Sequence, residues 1–134
     1  MTKSPPKILV IDDDPDFRAA VSAILASASY GVITADNPAE GKAKILAEKP
    51  DLVLLDIMMD GLFDGYALCN SVKTSKEFEI VKGTPIIFIS AVKDIAGARF
   101  GFQGEEQGMA GPDDYIDKPV APADLLARIG RFLK

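Results

Sequence analysis

Three short runs of uninterrupted apolar residues dominate this sequence: Ile8-Leu9-Val10-Ile11, Leu52-Val53-Leu54-Leu55 and Pro85–Ile89. None alternates with polar residues, as a strand with one wet face would. Such runs suit strands buried on both faces of a sheet. Each ends abruptly in a residue able to do chemistry: Asp12, Asp56 and Ser90.

Between the runs the apolar period changes to that of a helix. Phe17, Ala20, Val21, Ile24, Leu25 and Ala28 recur at helical spacing. Gly31–Ala35 reads as a second strand. Asn37 is placed to cap a helix, with Pro38 at its first position and Glu40 three residues after the cap. Ala39, Ala43, Leu46 and Ala47 are its expected inner stripe, and Lys49-Pro50 stops it. A third helix follows Asp64-Gly65, with Leu68, Cys69 and Val72 inward. Tyr115-Ile116 is a short fifth strand. Pro122 opens a last helix with Leu125, Leu126, Ile129, Phe132 and Leu133 on one face.

The chain therefore reads as α/β, a strand–helix unit repeated five times. That order predicts a parallel five-stranded sheet, doubly wound, with right-handed crossovers and helices on both faces. Residues 1–6 are a lead-in and residues 7–134 one domain. At 134 residues and 48% hydrophobic, the chain has enough apolar content for a core, which excludes a disordered segment.

Several function classes fall away. The net charge of −5 disfavours direct nucleic-acid binding, which calls for a basic face. The single cysteine, Cys69, excludes an internal disulfide or a Cys-rich zinc site. The absence of histidine removes His-based triads, His metal sites and phosphohistidine on this chain. No run is long enough for a signal peptide or membrane span, so the expected compartment is the cytoplasm, with no membrane partner.

Ligands of doubly wound sheets bind outside the carboxyl ends of the strands. There stand Asp12, Asp13 and Asp14 after the first strand, Asp56 after the third, Ser90 after the fourth and Lys118 after the fifth. Two carboxylates about 4 Å apart repel by about 4 kcal/mol at an effective dielectric of 20. Such a group calls for cations. Lys118 supplies one, and an all-oxygen donor set suits Mg²⁺. An aspartate can also be a nucleophile toward phosphorus, with Mg²⁺, a hydroxyl and a lysine neutralising the transferring oxygens. Taken singly, each residue has a plainer reading: Asp14 as the cap of a helix with Pro15 at its first position, Asp56 as a turn acid, Lys118-Pro119 as a surface turn. It is their succession at the strand ends that points to chemistry.

That ordered set resembles the receiver domain of two-component response regulators, over about Lys7 to Leu133. ILVIDDDPD (Ile8–Asp16) resembles the family's acidic pair, DLVLLDIMM (Asp51–Met59) its phosphorylation segment, IIFISA (Ile86–Ala91) its switch strand and DYIDKP (Asp114–Pro119) its lysine motif. The resemblance implies the flavodoxin-like strand order 2-1-3-4-5. It implies Asp56 as phosphoacceptor, with Mg²⁺ held by Asp13, Asp56 and the backbone carbonyl of Met58, and Asp12 acting mainly through water. It implies Ser90 and Tyr115 as switch residues and Lys118 as the partner of the phosphoryl group.

The implied role is a signalling switch rather than a classical enzyme, with weak self-phosphorylation from small donors and autodephosphorylation. A histidine kinase or histidine phosphotransfer protein would donate the phosphoryl group. A downstream effector, separate or fused, would read the face made by the fourth helix, fifth strand and fifth helix, through which a homodimer would also form. Two rivals are weighed: a phosphorylation-independent pseudo-receiver, and a haloacid-dehalogenase-type phosphatase with Asp12 as nucleophile. The phosphatase class needs a later acidic pair that is missing here.

Two features depart from the family pattern. Asp60 stands where proline is common. The interval from Ser90 to Lys118 is several residues longer than usual and carries Gly97, Gly101, Gly104, Gly108 and Gly111. Each interior glycine weakens a helix by about 1 kcal/mol relative to alanine, so a frayed fourth helix is expected there.

Overall fold

The computed structural model describes residues 5–56, 64–81, 83–90 and 112–133, with backbone only at 64–67 and 90. Its strands are β1 (Lys7–Ile11), β2 (Gly31–Ala35), β3 (Leu52–Asp56), β4 (Ile86–Ser90) and β5 (Asp114–Asp117). Its helices are α1 (Pro15–Ser27), α2 (Pro38–Glu48), α3 (Asp64–Thr74) and a C-terminal helix (Pro122–Phe132). The strands form one parallel sheet in the order β2-β1-β3-β4-β5. This is the flavodoxin-like arrangement.

The apolar runs take the positions their composition dictates. All five residues of β3, at the centre of the sheet, are buried. Leu9, Ile11, Val53, Leu55, Ile86 and Phe88 point to one face, where they meet Ile45 of α2 and Leu68, Cys69 and Val72 of α3. Ile8, Val10, Leu52, Leu54, Ile87, Ile89 and Ile116 point to the other, against Val21 and Leu25 of α1 and Leu125 and Ile129 of the C-terminal helix. Strand alternation thus builds two cores, one on each side of the sheet.

The helix caps follow the sequence. Asp14 Oδ1 accepts from the Asp16 amide at 2.9 Å, with Pro15 opening α1. Asn37 Oδ1 accepts from the Glu40 amide at 2.8 Å, while Glu40 Oε1 reaches back to the Asp36 amide at 2.9 Å. The return bond of this capping box therefore lands one residue before the cap. Lys49 ends α2 in the left-handed region, at φ 47°.

The inner stripe of α2 differs from the expectation. Ala39, Ala43 and Ala47 are exposed, Leu46 is half-buried, and the buried residues are Gly41 and Ile45. A helix turns inward the face that removes most apolar area from water, and Ile45 outweighs three alanines. Gly41 permits the close approach: a Cβ there would lie 2.6 Å from Ile11 Cδ1. The sequence pattern also misses the 3₁₀ turn Lys76–Val81, which buries Phe78 and Val81 beneath α3. The Gly-rich segment from Gly97 to Gly111, Met58 and Asp60 lie outside the described residues.

Candidate functional site

The site sits at the carboxyl edge of the sheet, where β1 and β3 stop side by side in register, Ile11 beside Leu55. One step further on, the paired chains present Asp12 and Asp56. Asp12 is fully buried and Asp56 is 5% exposed. They are the buried charged residues among the described part of the chain. Asp13 turns outward and is exposed. Each of the three offers a carboxylate oxygen, and these oxygens lie within 4.8 Å of one another.

The loop that holds them is fixed by local bonds. The Asp12 amide donates to the Ala35 carbonyl at 3.0 Å, which ties the end of β1 to the end of β2. Asp12 Oδ1 accepts from the Asp14 amide at 2.9 Å, an Asx-type turn. Arg18 Nη1 donates to the Asp12 carbonyl at 2.7 Å, so α1 anchors the acidic loop that precedes it.

Lys118 arrives from the far side of the sheet, just past β5. Its Nζ donates to Asp12 Oδ2 at 3.1 Å and lies 3.7 Å from Asp56 Oδ2. The peptide bond from Lys118 to Pro119 is cis. The same ammonium stands over the Phe17 ring, 4.3 Å from its centroid. Phe17, Ile24, Pro119 and Val120 continue from there as the wall of an open apolar groove of about 440 Å³.

Charge balance gives the cluster its chemistry. Among the described residues, three carboxylates stand together beside one ammonium, a formal excess of negative charge with two of the acids buried. Burial without full compensation is costly. A small divalent cation with oxygen ligands would relieve it, and the donor set fits Mg²⁺.

The remaining sequence-derived residues fall as follows. Ser90 ends β4 with its backbone in register with Asp117; its side chain lies outside the description. Tyr115 pairs with Phe88 across β4 and β5, and the two rings meet edge to face at 5.8 Å and 86°. Met58 lies outside the described residues.

Sequence reasoning missed Arg128. Its guanidinium donates to both Asp114 oxygens, to the Tyr115 carbonyl at 2.9 Å and to Asp124 at 3.1 Å, binding the C-terminal helix to β5. Those bonds, led by the one to Asp124, raise its pKa. An i, i+4 spacing from Asp124 to Arg128 was the available signal. The contact to β5 had none.

Comparison with known proteins places this geometry in context. The family model described as "Response regulator receiver domain" matches residues 8–130. The transcriptional regulatory protein ResD of Bacillus subtilis is 36% identical over 128 residues, covering 96% of this chain and 48% of ResD. The phosphate regulon transcriptional regulatory protein PhoB of Pseudomonas aeruginosa is 35% identical over 132 residues, covering 95% of this chain and 51% of PhoB. The chain thus spans about half the length of these curated relatives. A response regulator receiver domain protein (CheY-like) of Methanospirillum hungatei superposes with a TM-score of 0.74 at 31% identity, covering 96% of this chain and 93% of that one. Among the described residues, no helix is long and apolar enough to cross a membrane.

Proposed function

The chain belongs to the response regulator receiver domain family and is a phosphoacceptor signalling module; within that role we propose that Asp56 takes the phosphoryl group. The observation that carries this reading is the position of Asp56. It ends the central strand, nearly buried, with the Lys118 ammonium 3.7 Å from its carboxylate and two further acids beside it.

In the proposed reaction an Asp56 carboxylate oxygen attacks the phosphorus of a phosphohistidine on a donor protein. The P–N bond breaks, its electron pair returns to the imidazole, and an acyl phosphate remains on Asp56. Lys118 exchanges its contact with Asp56 for one with a phosphoryl oxygen, keeping Asp12 as its second anchor. Asp13 and Asp56, with the Met58 carbonyl and with Asp12 through water, would hold Mg²⁺. Bound there, Mg²⁺ neutralises charge on the transferring oxygens. Ser90 supplies a hydroxyl to the same group. Since these 134 residues hold no histidine, the donor histidine lies outside them, on a histidine kinase or histidine phosphotransfer protein.

The output follows from a charge added beside two switch residues. Ser90 moves toward the phosphoryl group and Tyr115 follows, its ring starting from the edge-to-face contact with Phe88. The face of the fourth helix, β5 and the C-terminal helix then changes, for an effector or a second copy to read. The transcriptional regulators similar to this chain are about twice its length, which supports an effector of that kind. The cytoplasm remains the proposed compartment.

The test is intact mass after incubation with acetyl phosphate and Mg²⁺. One phosphoryl group is expected on the native protein, with none on Asp56→Asn and none without metal. Failure of both acetyl phosphate and beryllofluoride to bind would overturn the reading in favour of a phosphorylation-independent module. An adduct that survives Asp56→Asn and disappears in Asp12→Asn would indicate the phosphatase chemistry.

A further inference from the structure

We propose that Phe17 is a positioning residue for Lys118, its ring serving as the platform that holds the ammonium against the two buried carboxylates. The proposal rests on the reading of Lys118 as the phosphoryl partner. Lys118 is a long side chain with many rotamers, and its ammonium is strongly hydrated. Left to itself it would extend into water. Here only 24% of its side chain is exposed.

Among the described residues, three neighbours stand around the ammonium. Asp12 Oδ2 at 3.1 Å and Asp56 Oδ2 at 3.7 Å are the anionic ones. The third is the Phe17 ring, with its centroid 4.3 Å away. A cation over the face of a ring is drawn by the ring quadrupole, more strongly where water is excluded. The groove beyond Phe17 is walled by Ile24, Pro119 and Val120. Lys118 is the charged residue of that lining, so no other side chain of the groove competes with the ring for the ammonium.

The placement also has a local cause. Pro15 and the Asp14 cap fix the first turn of α1, and Arg18 ties that turn to the Asp12 carbonyl. Phe17 lies between these anchors. The element that anchors Asp12 thus carries the platform too. An aliphatic residue at position 17 would fill the same apolar space without attracting the charge. The proposal concerns the ring's electrons rather than its bulk.

The experiment compares the native protein with Phe17→Leu, Phe17→Tyr and a protein carrying trifluorophenylalanine at position 17. The fluorinated ring keeps shape and fold while depleting the quadrupole. The first readout is the order parameter of the Lys118 ε-carbon by NMR relaxation. The second is the rate of phosphoryl uptake from acetyl phosphate with Mg²⁺. Order and rate should stay near native in Phe17→Tyr. Both should fall in Phe17→Leu and in the fluorinated protein, the rate by about five-fold. Native order in the fluorinated protein would overturn the proposal, leaving Phe17 a space-filler. Lost order with an unchanged rate would equally overturn it, since the platform would then serve no transfer. If the native protein takes no phosphoryl group at all, the Asp56 reading fails, and the order parameters still decide whether the ring holds the ammonium.

Discussion

The two edges of the sheet carry the same residue type and use it in opposite ways. At the amino edge, Asp51 Oδ2 accepts from the Lys7 amide at 2.7 Å. Asp113 Oδ2 accepts from the Ile86 amide at 2.8 Å and from Lys73 Nζ at 2.8 Å. Each acid there satisfies a donor at or beside the start of a strand, so its charge is spent on holding β1 or β4 in place. At the carboxyl edge, Asp12, Asp13 and Asp56 bring their carboxylates within 4.8 Å of one another, and among the described residues Lys118 is the cation paired with Asp12 and Asp56. An acid matched to its donors is structure. A group of acids exceeding its cations is a site waiting for charge.

This contrast predicts opposite signs for one kind of substitution. The largest effect is expected at the amino edge. Asp113→Ala leaves the Ile86 amide and Lys73 without their partner and should cost about 2–3 kcal/mol, read as a lower midpoint in urea. A smaller effect of reversed sign is expected at the carboxyl edge. Without metal, Asp56→Asn removes a carboxylate that faces two others and one ammonium, and should stabilise by about 1–2 kcal/mol. Destabilisation by Asp56→Asn under those conditions would break the comparison.

Mg²⁺ sharpens the same point. At a hundred times its dissociation constant it should raise native stability by about 2.7 kcal/mol. The gain in Asp56→Asn should be much smaller, and Asp51→Ala should keep the full gain while losing about 1 kcal/mol of its own. Thermal melts with and without the ion would read all three.

The last expected effect, confined to alkaline pH, concerns Cys69, buried on the inner face of α3. Burial pushes its thiol from 9.0 up to about 12, against a lowering by Lys73. The folded state therefore keeps its proton while the unfolded thiol ionises. The stability this supplies is whole below the unfolded pKa and is lost as pH rises from about 9 toward 12. Cys69→Ala should flatten that part of the stability–pH curve, and a disulfide reagent at pH 8 should label Cys69 no faster than the protein opens.

Much of this molecule was legible in the sequence because its signals were local. Ile8–Ile11 and Leu52–Leu55 are apolar without alternation, so they could only be buried strands, and the acids after them had to share an edge. Asp14 and Asn37 announced their helices by position alone. What stayed hidden depended on partners distant in sequence or on small differences in burial. The alanines of α2 matched the helical period, yet Ile45 and the bare backbone of Gly41 decided which face turned inward. Asp113 was unremarkable beside Asp114 until β4 came alongside. Phe17 counted as one more apolar residue of α1, although its ring lies beneath a lysine that the sequence alone could not place there.

The bond from Lys118 to Asp12 joins residues 106 positions apart, and that span orders events in time. Contacts between distant segments carry the larger loop-closure cost. A chain growing from its amino end presents Asp12 and then Asp56 well before their lysine has been made. The acids of the site are thus in the chain before the lysine that pairs with them. They gain their cation only when β5 docks on β4, so the lysine's arrival marks completion of the sheet.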